Sequence, residues 1–293
     1  MRYVLENDTL RVEIDSFGAE LKSVKRKSDD KEYMWYADKK YWGRTSPVLF
    51  PFVGNCRNKE YRYGGKTYAI GQHGFARDME HTMESRTEDT IWFSLHSNEE
   101  TMEKYPFAFV LKIGYNLAGN ELKVMWKVEN PDTKTLYFSI GAHPAFLCPF
   151  NGEENKLGYG LQFAGLKEVH HHGNTPDTGL AVMSEDIVIP LEDEKVYFTP
   201  GFFDRCTYMV EGKQTGEVSL VTPDGKPYVT MDFDAPLFAI WSPEGKDAPF
   251  VCIEPWYGRC DADDFEGTLE ERAYENAVEP EQTFEASYSI RYL

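Results

Sequence analysis

The chain has 293 residues, with 31 Lys and Arg against 49 Asp and Glu, and a formal net charge of −18. Such a surface repels phosphate backbones and anionic lipid, which disfavours nucleic-acid and membrane partners. No apolar run approaches the length of a membrane span, and charged and polar residues follow Met1 where a leader would be apolar. The five cysteines are irregularly spaced, which indicates reduced thiols in a cytoplasmic protein.

The first half of the chain predicts short strands separated by turns. Apolar and polar residues alternate over 10–15, as in a half-buried strand. Two prolines interrupt the apolar run 46–53, which favours an edge strand or an extended inner loop. The segment 61–68 contains Gly64-Gly65 and predicts a hairpin. No Ser-, Gly- or Pro-rich linker divides the chain, so we predict one domain over residues 1–293.

The second half repeats this pattern, with two exceptions. Strands 108–115 and 121–129 predict a hairpin, and an apolar strand 136–140 ends at Gly141. The stretch 150–186, with a run of three histidines, predicts irregular structure, and helix signals are confined to 97–104 and 269–274. Further strands are predicted at 91–95, 217–222, 228–233, 237–241, 250–253 and 283–292. Many short strands predict an all-β, large antiparallel sandwich.

Polar groups concentrate in four short segments at the ends of predicted strands. They contain two histidines, a glutamate and two arginines: His143, His73, Glu254, Arg57 and Arg77. Histidine titrates near neutral pH and can serve as an acid or a base. A carboxylate that ends a buried strand is desolvated, which raises its pKa and makes it a stronger base. The ordinary alternatives are core or capping histidines and a turn glutamate paired with Arg259.

Other chemistries have weaker support. His73, His143 and Glu254 could form a zinc set, but no helical zinc motif is present, and the triplet His170–His172 is typical of a solvated loop. Cys148, five residues after His143, could be a nucleophile, although cysteine is most often a small buried hydrophobe. No nucleophile elbow, phosphate-binding loop or dinucleotide fingerprint occurs. We expect no functional metal and no cofactor.

The four segments, taken together and in order, resemble a known family. Val-Gly-Asn-Cys-Arg-Asn-Lys, Gln-His-Gly-Phe-Ala-Arg, Gly-Ala-His-Pro-Ala-Phe and Ile-Glu-Pro-Trp-Tyr-Gly are similar to motifs of the aldose 1-epimerase (galactose mutarotase) family, in particular its LacX-like branch. The resemblance spans nearly the whole chain. It implies a single antiparallel β-supersandwich that interconverts the α and β anomers of a free aldohexose without a cofactor.

The resemblance also implies roles for individual residues. His143 would be the general acid that protonates the ring oxygen, and Glu254 the general base that takes the anomeric hydroxyl proton. The acid and the base are expected on opposite sides of the sugar ring. The implied substrate-binding residues are His73, Arg57, Asp204, Arg77 and Trp241, with Phe250 as a further wall residue.

Three competing functions remain open. A hexose-6-phosphate 1-epimerase would need cationic side chains at the sugar's C6, for which Arg44 and Arg77 are available. A sugar-binding or regulatory protein on the same scaffold would bind sugar without turnover. Glycoside hydrolysis by Glu254 with Asp204 would need the two carboxylates to flank one bond at a defined separation. In each case the expected partner is a small-molecule sugar, and the chain is expected to be a monomer or homodimer.

Overall fold

The computed structural model describes residues 1–293 and confirms the predicted all-β class. One α-helix, α1, spans Glu99–Lys104, and 3-10 turns lie at Arg57–Lys59, Ala76–Asp78 and Leu269–Glu271. No helix is long and apolar enough to cross a membrane. The strands are β1 (Arg2–Glu6), β2 (Leu10–Asp15), β3 (Glu20–Arg26), β4 (Lys31–Glu32), β5 (Val48–Leu49), β6 (Glu60–Tyr63), β7 (Lys66–Ala69), β8 (Thr82–Arg86), β9 (Thr90–His96), β10 (Val110–Ala118), β11 (Glu121–Glu129), β12 (Leu136–Phe138), β13 (Ile140–Ala142), β14 (Ala145–Leu147), β15 (Gly160–Phe163), β16 (Glu168–Asn174), β17 (Ala181–Pro190), β18 (Lys195–Tyr197), β19 (Tyr208–Glu211), β20 (Glu217–Val221), β21 (Pro227–Phe233), β22 (Leu237–Trp241), β23 (Phe250–Tyr257), β24 (Asn276–Val278) and β25 (Thr283–Tyr292).

Two large antiparallel sheets form the body of the molecule. The nine-stranded sheet has the order β18-β15-β20-β21-β25-β11-β10-β9-β8. The eight-stranded sheet has the order β17-β16-β19-β22-β23-β13-β5, and β14 also pairs with β23. Strands β1–β4 form a third sheet, and β6-β7 and β12-β24 are separate two-stranded pairs.

One hydrophobic cluster of 61 buried residues joins the two large sheets. Leu122, Val124 and Val128 enter it from β11 of the nine-stranded sheet, and Val251 and Ile253 enter it from β23 of the eight-stranded sheet. This period-2 alternation places every second side chain of β23 on the opposite face, outside the main core. That second face of β23 is where the candidate site lies.

Local sequence signals in the first half predicted the structure well. The glycines at 64 and 65 have φ of 55° and 74° and join β6 to β7 in a tight hairpin, as their positive φ requires. The interrupted run 46–53 contributes only β5, at the edge of the eight-stranded sheet. The predicted hairpin of β10 and β11 is also present.

Three elements differ from prediction. The strand 136–140 divides into β12 and β13, which belong to different sheets. The stretch 150–186 is not irregular, because it contains β15, β16 and most of β17. Its histidine triplet lies in β16 and not in a loop, with His171 buried against Tyr208. The second predicted helix shortens to the 3-10 turn Leu269–Glu271.

Candidate active site

The register of the eight-stranded sheet brings His143 and Glu254 together. Ala145 pairs with Cys252 in β14, and Gly141 pairs with Trp256 in β13. Continuing this register across the break between β13 and β14 places His143 directly opposite Glu254. Cross-strand residues of this kind lie on one face with their Cβ atoms about 5 Å apart. His143 Nδ1 is 3.4 Å from Glu254 Oε1, and both side chains are buried.

Glu254 lies inside a strand, although the sequence predicted that it would end one. β23 continues through Pro255 to Tyr257, between β22 on one side and β13 and β14 on the other. A proline is normally excluded from a central strand because it cannot donate to the ladder. On the β13 and β14 side, the ladder stops at the pair Gly141–Trp256 and resumes at Ala145–Cys252, so Pro255 lies where pairing on that side of β23 is interrupted.

Small residues leave space around this pair. Ala239 of β22 faces Glu254 from the other side of β23. Gly141 leaves room for the Trp256 ring, because a Cβ at position 141 would lie only 2.6 Å from Trp256 Cδ1. Glu254 therefore has aromatic and apolar neighbours but no cation beside it. The alternative pairing with Arg259 is excluded, since that guanidinium binds Glu211 at 2.8 Å.

Two tryptophans fix the imidazole of His143. The Trp42 ring stacks on it with a centroid separation of 4.6 Å and an interplanar angle of 26°. Trp241 meets it edge-on at 5.3 Å. Trp241 lines the cleft as predicted, whereas Phe250 is fully buried behind it, stacked on Trp35 at 4.7 Å. Phe250 supports the aromatic wall and is not part of its surface.

His73 approaches the same point from a separate loop. Its ring lies 5.7 Å from that of His143, and its backbone adopts a left-handed φ of 62°. The Gly54 backbone N–H donates to His73 Nδ1 at 3.0 Å. Because Nδ1 accepts this bond, a neutral His73 has its proton on Nε2, which is then available to donate to a ligand.

These groups line a cleft of about 430 Å³, within the size range of small-molecule sites. Only 5 of its 19 lining residues are hydrophobic, so it suits a hydroxyl-rich ligand better than an apolar one. Three positions outside the four segments also line it, Trp42, Asp177 and Glu244, and no motif in the sequence pointed to them. Asn55 and Gln72 line it as well; they lie within two of the four segments but were not named as site residues.

Arg77, one of the expected substrate-binding residues, lines the cleft and brings a cationic side chain to it. Its Nη2 donates to the Gln72 carbonyl at 2.7 Å, and Asp78 lies 3.7 Å from its Nε. Arg44 binds the same Asp78 at 2.8 Å. Two guanidinium groups thus share one carboxylate, and both act electrostatically on His73 and His143.

The pKa shifts favour the uncharged carboxyl of Glu254 and the uncharged imidazole of His143. Burial raises the pKa of the Glu254 carboxyl well above 4.5, and the nearby Trp256 indole opposes part of this rise. Burial, with Arg77 as the second cause, lowers the pKa of His143 to about 3. The same two causes hold the pKa of His73 well below 6.5. The shifts disfavour the charged form of each of these groups, and perturbed groups of this kind are typical of functional sites.

The raised pKa of Glu254 predicts a pH-dependent stability cost. Above 4.5 the unfolded carboxyl is ionised while the folded one keeps its proton, so the folded state loses stability as pH rises. We expect Glu254→Gln to be more stable than the wild type at pH 7. The difference in unfolding free energy should grow by at most about 1.4 kcal/mol per pH unit from pH 4.5 up to the raised pKa of the folded carboxyl, level off above it, and vanish below 4.5. Denaturant unfolding at several pH values measures it, and a pH-independent difference would contradict the burial argument.

Two predicted substrate-binding residues lie outside the cleft. The Arg57 guanidinium donates to the Phe265 carbonyl at 3.1 Å and to Glu266 at 3.0 Å, in a separate depression. Asp204 accepts the Gly245 backbone N–H at 3.1 Å and lines another depression. Both residues were expected to contact the sugar, but these hydrogen bonds hold their side chains outside the cleft. Because Asp204 does not line this cleft, the hydrolase pair of Glu254 with Asp204 is not assembled either.

Two further expectations are corrected by the geometry. The acid and base were expected on opposite sides of a sugar ring, but His143 and Glu254 are neighbours on one wall. Cys148 is not beside His143; it is fully buried, away from the cleft, and burial raises the pKa of its thiol to about 12. All five cysteines are buried and free. A nucleophilic Cys148 is therefore excluded.

An antiparallel β-sandwich with a polar cleft on one sheet defines the class of this protein, and comparisons identify its family. The family described as aldose 1-epimerase matches residues 1–262. Protein LacX (chromosomal) of Lactococcus lactis subsp. lactis is 31% identical, with 100% of both chains covered. A galactose mutarotase related enzyme from Lactobacillus acidophilus is 37% identical with a TM-score of 0.94, covering 100% of this chain and 97% of that one. A galactose mutarotase-like protein from Lactobacillus casei is 29% identical with a TM-score of 0.91, and both chains are covered in full.

This chain belongs to the aldose 1-epimerase family and has the galactose mutarotase-like fold. Within the family it is similar to the LacX proteins.

Proposed function

We propose that the protein is an aldose 1-epimerase that interconverts the α and β anomers of a free aldohexose, with Glu254 as base and His143 as acid. The observation that supports this most directly is the 3.4 Å contact between these two side chains on the wall of a polar cleft. Family membership makes a sugar the expected ligand.

The adjacency of the two groups suits the chemistry. The anomeric hydroxyl and the ring oxygen are both bonded to C1, so one acid and one base side by side can reach both. The Glu254 carboxylate takes the proton of the anomeric hydroxyl, the C1–ring oxygen bond breaks, and the His143 imidazolium protonates the released oxygen. Rotation about the C1–C2 bond presents the other face of the aldehyde. The reverse transfers then close the ring as the opposite anomer.

The proton count supports the same cycle. An ionised Glu254 with a protonated His143 holds one proton, and so does a protonated Glu254 with a neutral His143. Ring opening converts the first arrangement into the second, which is the one that burial favours. No net proton has to enter or leave the closed cleft, and the aromatic wall and His73 supply orientation.

The direct test is the rate at which the optical rotation of freshly dissolved α-glucose or α-galactose reaches equilibrium. We expect the protein to accelerate this approach in proportion to its concentration. Calorimetric sugar binding without acceleration would support the sugar-binding or regulatory alternative instead. The proposal would be overturned if the protein neither bound any free or phosphorylated aldohexose nor accelerated its mutarotation.

The Arg77 guanidinium in the lining of the cleft favours a second candidate, a hexose-6-phosphate 1-epimerase. Arg77 is largely buried and Arg44 is nearby, and the two share one carboxylate. Guanidinium groups bind phosphate by paired hydrogen bonds. A sugar bound with C1 at Glu254 and its phosphate at Arg77 would contact both of these lining residues.

Arg77→Met decides between these two substrates. If the phosphorylated sugar is the substrate, we expect its kcat/KM to fall by about 10²-fold, equivalent to about 3 kcal/mol for a lost charge-assisted contact, while turnover of the free sugar changes little. Arg62→Met, at an arginine outside the cleft, is the matched control. An equal change for both sugars in the Arg77 variant would contradict a phosphate-specific role.

A further inference from the structure

Three different metal-binding side chains converge beneath the cleft. Ligand atoms of His143, Cys252 and Glu254 all lie within 4.8 Å of one another, and all three residues are buried. Cys252 and Glu254 are two positions apart in β23 and therefore face the same side of the sheet. The alternation of side chains along β23 therefore places the Cys252 thiol near the His143 imidazole and the Glu254 carboxyl.

This cluster contains buried polar atoms without partners. His143 Nδ1 and Glu254 Oε2 make no hydrogen bond in the structure. Native proteins seldom leave such atoms unpaired, so each of them indicates a missing partner. A water or a sugar hydroxyl could pair with either atom, but the presence of a thiol beside them fits a cation better.

The donor set and its charge suit a thiophilic divalent cation. Imidazole nitrogen, thiolate sulfur and carboxylate oxygen are the ligands of zinc sites. A thiolate and a carboxylate neutralise a divalent charge, which limits the cost of burying the ion. Burial, followed by the nearby Glu254 carboxyl, raises the pKa of the Cys252 thiol well above 9.0, and the Lys156 ammonium offsets only part of this rise, so the cation has to displace the thiol proton.

The geometry requires only a small adjustment. Zinc bonds of ordinary length place tetrahedral ligand atoms roughly 3.3–3.7 Å apart. His143 Nδ1 and Glu254 Oε1 are already 3.4 Å apart, so the Cys252 sulfur, within 4.8 Å of a ligand atom of each, is the atom that has to move nearer. His143 and Glu254 both line the cleft, which supplies the entry path and leaves a fourth position for water.

We propose that His143, Cys252 and Glu254 form an inhibitory binding site for a thiophilic divalent cation such as Zn²⁺. Binding releases to solvent the thiol proton of Cys252 and any proton on the Glu254 carboxyl, because only the thiolate and the carboxylate coordinate the ion. The bound ion occupies the lone pairs of the two groups that the proposed function assigns to proton transfer. Only the inhibitory effect rests on that proposed function, whereas the binding site stands on its own geometry.

The test uses Cd²⁺ as a spectroscopic probe on chelator-treated protein. We expect one equivalent of Cd²⁺ per chain to produce an ultraviolet thiolate-to-cadmium absorption band, and Zn²⁺ to bind with the same stoichiometry by calorimetry. Cys252→Ser should abolish the band and weaken Zn²⁺ binding by more than about tenfold, the effect that even outer-shell partners reach. Thermal unfolding of each variant establishes that it is folded.

Two matched variants locate the sulfur ligand. Cys206→Ser removes a thiol outside the cleft, and Cys260→Ser removes one that lines the cleft 3.7 Å from the Met209 sulfur. Both should keep the band and the affinity. If Cys252→Ser fails to fold, His143→Asn serves instead, with the band retained and the affinity reduced.

Three results would overturn the site: no thiolate band at one equivalent, a band that persists in Cys252→Ser, or a band lost in Cys260→Ser. None of these readouts depends on catalysis, so a protein without mutarotase activity could still bind the ion. If mutarotation is observed, Zn²⁺ should inhibit it and the sugar should compete. Inhibition without the band would also contradict the proposed ligands.

Discussion

Glu254→Gln is expected to slow mutarotation by about 10²–10⁴-fold, the contribution of one general acid–base group. Glutamine preserves the size of the side chain and its place opposite His143, but its amide cannot take the proton of the anomeric hydroxyl. The loss should appear in kcat with little change in KM, because Trp42, Trp241 and His73 still hold the sugar. Polarimetry over a range of sugar concentrations separates the two parameters.

The matched control is Glu266→Gln, the same substitution on an exposed carboxylate that binds Arg57 outside the cleft. We expect wild-type kinetics from it. Combined with the stability measurement, Glu254→Gln should be less active and more stable at neutral pH, which unfolding damage cannot produce. Wild-type turnover in Glu254→Gln would refute the assignment of the base.

Arg272→Met is expected to reduce the free energy of unfolding by about 3–5 kcal/mol, the usual cost of breaking a buried ion pair by removing one partner. The side chain is 1% exposed and binds Asp261 at 2.7 Å and Glu275 at 3.0 Å. It also donates to the Arg259 carbonyl at 2.8 Å. Its removal leaves two buried carboxylates without their cation.

This network also holds one wall of the cleft. Asp261 accepts the Arg57 backbone N–H at 2.8 Å, and its own N–H donates to the Asn55 carbonyl at 3.0 Å. Asn55 in turn donates to the Thr178 carbonyl at 2.8 Å and so positions a loop that lines the cleft. A weaker apparent affinity for sugar should therefore accompany the lost stability.

Lys127→Met provides the comparison for Arg272→Met. It removes a partner from a surface pair with Glu285 at 2.7 Å, and surface pairs contribute about 0–1 kcal/mol. Urea unfolding of both variants gives the two free energies under the same conditions. A similar small change in both would mean that the buried network contributes little to stability.

Local sequence determined much of the fold. The Gly64-Gly65 turn, the alternation in β2 and the prolines near β5 depend on neighbours in the chain, and each was predicted correctly. The histidine run in β16 shows the limit of such signals. Its strand is set by pairing with β17 and β19, and polar residues with no local preference for a strand follow that pairing.

The sequence by itself determined which residues have suitable chemistry: His143, His73, Arg77 and Glu254 were all identified from the chain, and all line the cleft. Only the tertiary structure decided how they meet. More than 100 residues separate β13 from β23, and their register alone makes His143 the neighbour of Glu254. Arg57 and Asp204 have equally suitable side chains, but Glu266 and the Gly245 backbone bind them elsewhere. A side chain's chemistry is a property of its residue type, whereas its partner is set by contacts between distant segments that no local pattern encodes.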